Sequence, residues 1–109
     1  MRSHTANELR FTGAVLDKDA TTVVIASIRC GLSNLSGSRL EKAQDVSSET
    51  THQIVVRYGD GSAITADMYV QISGVLYVID HRPLDAYPER APQPNMWLEI
   101  NCHVERSGQ

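Results

Sequence analysis

The sequence is poor in the residues on which chemistry is usually built. Among its 109 residues are two cysteines, one tryptophan, one phenylalanine and four prolines. Cys30 and Cys102 stand 72 positions apart, too distant for a zinc-binding pair and too few for a disulfide framework. The longest apolar runs, Val23 to Ala26 and Val75 to Ile79, are four and five residues, far short of a membrane-spanning helix. The first ten residues, with His4, Asn7, Glu8 and Arg10 among them, lack the apolar stretch of a secretory signal, so a protein made and kept in the cytoplasm is expected. Positive charge is also scarce. Ten basic against 13 acidic side chains leave a formal charge of −3, which argues against a protein that grips phosphates through clustered Lys and Arg.

Catalytic signatures are missing as well. Gly59-Asp60-Gly61 has neither the spacing nor the following Lys-Ser/Thr of a phosphate-binding loop and reads as a turn. The histidines His4, His52, His81 and His103 form no metal-ligand spacing, and strand parity turns His52 inward and His103 outward. Cys102 adjoins His103, and Asp80 adjoins His81, but neighbours on a strand point to opposite faces, so neither pair makes a dyad. Asp67 and Asp80 read as a like-charged cross-strand pair at the base of a hairpin, with no pocket evident between them. No enzyme, cofactor or metal centre is expected.

What the sequence does have is alternation. Val24, Ala26, Ile28 and Cys30 mark one face of a strand over Thr22 to Cys30, with Val23 and Ile25 blurring the other. Ile54, Val56 and Tyr58 alternate with Gln53, Val55 and Arg57. Leu98, Ile100, Cys102 and Val104 alternate with Trp97, Glu99, Asn101, His103 and Glu105. Both cysteines thus fall on inward faces, as small core residues. Ser73-Gly74 joins Asp67 to Ile72 with Val75 to Asp80 as a two-residue hairpin. That loop pairs Ile72 with Val75, Val70 with Tyr77 and Met68 with Ile79, gathering six apolar side chains on one face. A further strand fits around Leu9, Phe11 and Val15.

Two stretches read as long loops, about 31–51 and 82–96. The first is rich in Ser, Gly and Asn, and Ser38-Arg39-Leu40-Glu41 has the spacing of a capping box, which predicts a short helical turn inside a mobile loop. The second holds all four prolines, Pro83, Pro88, Pro92 and Pro94. The length suits one domain over 1–109: an all-β, small antiparallel β-barrel or sandwich of five to six strands with two long loops.

From Ile28-Arg29-Cys30-Gly31-Leu32-Ser33-Asn34-Leu35-Ser36-Gly37-Ser38-Arg39-Leu40-Glu41-Lys42-Ala43-Gln44 through Glu49-Thr50-Thr51-His52-Gln53-Ile54-Val55-Val56-Arg57-Tyr58, the chain resembles the head-tail joining (head completion or stopper) proteins of tailed bacteriophages. Gly74-Val75-Leu76-Tyr77-Val78-Ile79 and Leu98-Glu99-Ile100-Asn101-Cys102 continue the resemblance, which covers about residues 10 to 105. It implies a small β-barrel that forms a homo-oligomeric ring below the portal or adaptor, closes the DNA-filled head and offers a platform to a tail terminator or tail protein. Such a protein sits at the head-tail interface of the virion and in the host cytoplasm during assembly. DNA passes its channel without sequence-specific binding, and no membrane is involved. The interface residues it implies are Gly37, Ser38, Arg39, Leu40, Glu41, Lys42, Gln44 and Asp45 in the first loop and Leu84, Tyr87, Glu89 and Arg90 in the second. Arg39, Glu41 and Lys42 are then polar contacts, Leu40 is an apolar anchor, and Gly37 to Val46 orders on assembly. Two other readings are a tail-terminator-like connector ring and a β-barrel module that stacks single-stranded nucleic acid or oligosaccharide on Tyr69 and Trp97.

Overall fold

Hydrophobic alternation this short needs a partner strand on both sides, and the chain supplies it by closing on itself. The computed structural model describes residues 6–46, 49–81, 83–85 and 96–105. After a 3-10 turn at Ala6–Glu8 come β1 (Phe11–Leu16), β2 (Val23–Asn34), helix α1 (Gly37–Val46), β3 (His52–Arg57), the short helix α2 (Tyr58–Gly61), β4 (Tyr69–Ile72), β5 (Val75–Ile79), β6 (Leu84–Asp85) and β7 (Trp97–Val104). The sheet order is β3-β2-β1-β4-β5-β7, and β3 pairs back onto β7 to make a closed six-stranded antiparallel barrel. The two-residue β6 extends the β5 edge along β7, with Leu84 opposite Glu99 and Asp85 opposite Leu98. The barrel, not the sandwich, is therefore the outcome.

The interior is filled by Val15, Ile28, Cys30, Ile54, Val56, Val70, Ile72, Tyr77, Ile79, Leu98, Ile100 and Cys102, with Ile64 from the α2 side. Gly61 in α2 sits against Val56, Ile64 and Leu98, so the segment after β3 closes that part of the barrel. Tyr58, expected as the last residue of β3, instead opens α2, and its amide bonds the Met96 carbonyl at 2.6 Å. The hairpin has the expected register, Ile72 opposite Val75 and Val70 opposite Tyr77. Ser73 and Gly74 both take positive φ, 52° and 81°, the combination a two-residue turn with matching twist requires. Of its six inward apolar residues only Val75, beside the turn, is exposed.

Three further sequence expectations change. Ile28 and Cys30 point inward, but Val24 and Ala26 do not; Ile25 packs toward the core instead. The register slips between Gly13 and Val15 and again between Val15 and Leu16, so extra residues of β2 reverse its facing. β2 also runs on to Asn34, pairing Gly31 to Asn34 with β3, where a loop was expected from residue 31. Finally, the outward residues Gln53, Val55, Trp97 and Glu99 are buried, because the outer face of β3 and β7 is covered rather than solvated.

Candidate interaction surface

The longest departure from the barrel is α1, ten residues where a helical turn was predicted. It starts at Gly37, whose φ of 58° turns the chain off the strand, and the Leu40 amide bonds the Ser36 carbonyl at 3.3 Å. Ser38 is therefore inside the helix and not its cap. Leu40 is half-buried and Ala43 buried, three positions apart on the face toward the protein, while Ser38, Glu41, Lys42 and Asp45 face solvent. Arg39 donates to Gln53 Oε1 at 2.9 Å, and Gln44 donates to the Thr50 carbonyl at 3.0 Å. Gln53 in turn donates to Asn101 Oδ1 at 3.4 Å, so α1, β3 and β7 share one polar line. Of the eight residues expected in this interface, Arg39, Leu40 and Gln44 thus spend part of their surface on the barrel itself.

The chain after α1 is held by a second polar line that sequence reasoning missed. Thr50 is fully buried and its hydroxyl donates to Asp80 Oδ2 at 2.7 Å. The other Asp80 oxygen meets His103 Nδ1 at 2.6 Å, and His103 Nε2 lies 3.2 Å from Glu49. The expected Asp67–Asp80 pair is not what the fold makes: Asp67 is exposed at a positive φ of 71°, and Asp80 turns to Thr50 and His103. The signal lies in the β5–β7 register, Ile79 opposite Cys102, which brings Asp80 beside His103 and is invisible until those strands are known to be neighbours. His103 is half-buried in this bracket, and His52 packs edge-on against Tyr77 at 5.5 Å. Burial alone lowers the proton affinity of His52.

Neither cysteine is arranged as a nucleophile. Cys30 and Cys102 are free and buried, donating weakly to the Phe11 and His52 carbonyls at 3.8 and 3.7 Å. Burial pushes the Cys30 thiol up to about 11 and the Cys102 thiol further still. Among the described residues no group of three or more His, Cys, Asp or Glu is placed to hold a metal ion, and no helix is long and apolar enough to cross a membrane. Trp97 is only 7% exposed and lies under the Arg57 guanidinium at 5.1 Å, so it offers no stacking face. Tyr69 donates its hydroxyl to Glu105 at 3.2 Å.

A small closed barrel with an external helix is the frame into which the sequence comparison falls. The sequence model of the phage head completion protein family matches residues 10–105. The chain belongs to that family. A head completion protein is a structural component of the phage head-tail connector, located in the virion and in contact with other head or tail proteins. No curated protein matches the sequence closely enough to add to this. In this head completion protein α1 stands on the outer surface, and the second expected interface segment enters through β6, where Leu84 sits opposite Glu99. Tyr87, Glu89 and Arg90 lie outside the described residues.

Proposed function

We propose that copies of this subunit form a ring below the portal or adaptor, close the DNA-filled head, and present the surface on which the tail terminator or tail protein docks. The observation that carries this reading is the exposed polar face of α1, Ser38, Glu41, Lys42 and Asp45, standing outside a barrel closed by the β3–β7 pairing. Closing β3 onto β7 takes up both of those strands within the subunit, so side chains and appended elements such as α1 are the contacts this reading uses. The acidic balance suits the role: a formal charge of −3, repeated around a ring, makes a wall past which DNA slides instead of sticking. Ordering of α1 belongs to the same reading. A helix of ten residues is marginal alone, and this one rests on Leu40, Ala43 and two side-chain hydrogen bonds, so contact with a neighbour firms it.

The test is to mix the protein with portal-bearing heads and image the vertex. Ring-shaped density there supports the proposal; a monomer that ignores such heads and binds oligonucleotide at moderate salt overturns it. Half-buried Leu40 is a poor probe, since Leu40→Asp disturbs the subunit along with any interface. Glu41→Lys with Lys42→Glu is the cleaner perturbation, expected to abolish incorporation while leaving the unfolding midpoint unchanged.

A further inference from the structure

His103 is bracketed by two carboxylates, one on each ring nitrogen, and an imidazole has enough protons for both only when it is charged. Nδ1 lies 2.6 Å from Asp80 and Nε2 lies 3.2 Å from Glu49. The neutral ring carries a single N–H, so one of these contacts then becomes a lone pair facing a carboxylate. The two ends are unequal. The Asp80 side chain is 5% exposed and also accepts the Thr50 hydroxyl, whereas Glu49 is 71% exposed. Leaving the buried carboxylate unpaired is the costlier outcome, so the remaining proton stays on Nδ1 and the Glu49 contact is the one lost.

We propose that His103 is a proton-operated latch: the imidazolium ties Glu49, in the connection between α1 and β3, to the barrel at β7, and loss of one proton releases Glu49 while the Asp80 bond persists. The consequence falls on α1. Gln44 donates to the Thr50 carbonyl, and the Leu35 amide just before the helix bonds the Thr51 carbonyl at 2.9 Å, so both ends of the helix lean on the residues beside Glu49. The inference rests on this geometry and stands whether or not α1 contacts a ring neighbour.

Among the described residues, other titratable groups stand near the ring. Glu105 lines the same 340 Å³ hollow as Glu49, Thr51, His103 and Val104, and accepts from Tyr69. His52, across on β3, is within hydrogen-bond distance of the Thr51 hydroxyl at 2.8 Å, and His81 follows Asp80 in the chain. The variants below separate both histidines from His103.

The Thr51 amide, bonded to the Cys102 carbonyl at 3.1 Å, reports on the latch. In the free, full-length protein its hydrogen exchange, corrected for the intrinsic rate, is expected to quicken about two- to five-fold between about pH 5.5 and 8, the size of one partly exposed ion pair. Glu49→Gln removes that dependence without opening the latch, because a glutamine amide accepts from the charged ring and donates to the neutral one. His52→Asn and His81→Asn leave the dependence in place. The proposal fails if wild-type protection at Thr51 is flat with pH, if Glu49→Gln retains the dependence, or if either histidine variant abolishes it.

Discussion

Adding one methyl group at Gly31 tests how the 3-10 turn at Ala6–Glu8 is fastened to the barrel. A Cβ there lies 2.6 Å from the Glu8 carbonyl oxygen, 3.2 Å from its carbon and 2.8 Å from Val55 Cγ2, so something must move. Val55 has little freedom: it is β-branched, and its strand is hydrogen-bonded to β2 on one side and β7 on the other. The 3-10 turn at Ala6–Glu8 is held more lightly, by burial of Leu9 and by the Arg29 guanidinium donating to the Leu9 carbonyl at 2.7 Å. The turn is therefore the part that lifts. Overpacking of this kind costs about 1–3 kcal/mol. Exposing Leu9 altogether costs about 1.5–3 kcal/mol, which sets the same ceiling from the opposite direction. At roughly 5 °C per kcal/mol for a domain of this size, Gly31→Ala lowers the melting temperature by about 5–15 °C. Urea and thermal unfolding read the global loss. Amide exchange reads its location: Arg10, whose amide bonds the Glu8 carbonyl at 2.8 Å, should lose more protection than Ile54 or Ile100 in the core. A variant within about 0.5 kcal/mol of wild type, the usual scatter of neutral surface changes, and with Arg10 still protected, would refute the packing argument.

Thr50→Val keeps the shape of a fully buried side chain but strips the donor from Asp80, and should cost about 1.5–3 kcal/mol in urea unfolding; a neutral result means the bond carries nothing. Ile54→Ala, at the centre of the core, should cost about 2–5 kcal/mol, whereas Val75→Ala beside the hairpin turn should change stability by less than about 0.5 kcal/mol; equal losses would contradict the assigned inward and exposed positions. Native protein at about pH 8 should resist thiol reagents at both cysteines and react only on unfolding, since burial raises the Cys30 thiol to about 11 and Cys102 further. The sign for stability follows from linkage: the folded thiols hold their protons longer than unfolded ones, so this contribution is complete below about pH 8.5 and is lost as the pH climbs toward the folded values. Stability that rises with alkalinity over that range would contradict it.

The β4–β5 hairpin was legible because a two-residue loop with Gly74 leaves one register, and only that register sorts the apolar side chains. β7 was legible for the same reason of parity, from Leu98 to Val104. β2 was not, because its reversal of facing comes from slips against β1, and a bulge belongs to a pair of strands rather than to one. Helix α1 was underestimated. Its Ser, Gly and charged residues read as loop, and what holds it, Arg39 on Gln53 and Gln44 on the Thr50 carbonyl, joins residues that only the closed barrel brings together. The Glu49–His103–Asp80–Thr50 line escaped for the same cause. Parity rightly excluded the neighbours Asp80 and His81 as a dyad, but says nothing of Asp80 and a histidine 23 residues further on. Trp97 was placed on the outward face correctly and on the surface wrongly, since facing out of a barrel means exposure only where nothing covers the strand.

That covering divides the barrel's exterior into two kinds of surface. Over β3 and β7 the outward residues Gln53, Val55, Trp97 and Glu99 are buried, and Gly31 has no room even for a methyl group. Over β1 and the start of β2, Thr12, Val23, Val24 and Ala26 remain exposed, as do Gln71 on β4 and Val75 at the turn. The connection at the β1–β2 end is tied by its own hydrogen bonds: Asp19 accepts from the Thr21 and Thr22 amides and from the Thr22 hydroxyl, bonds that hold its carboxyl well below the usual range. A tip so bonded, beside two exposed valines, has less conformational freedom to lose when covered than an unbonded loop of equal area. Helix α1 and this hairpin are thus two distinct exposed surfaces, and they are separable by mutation without touching the barrel core that carries both.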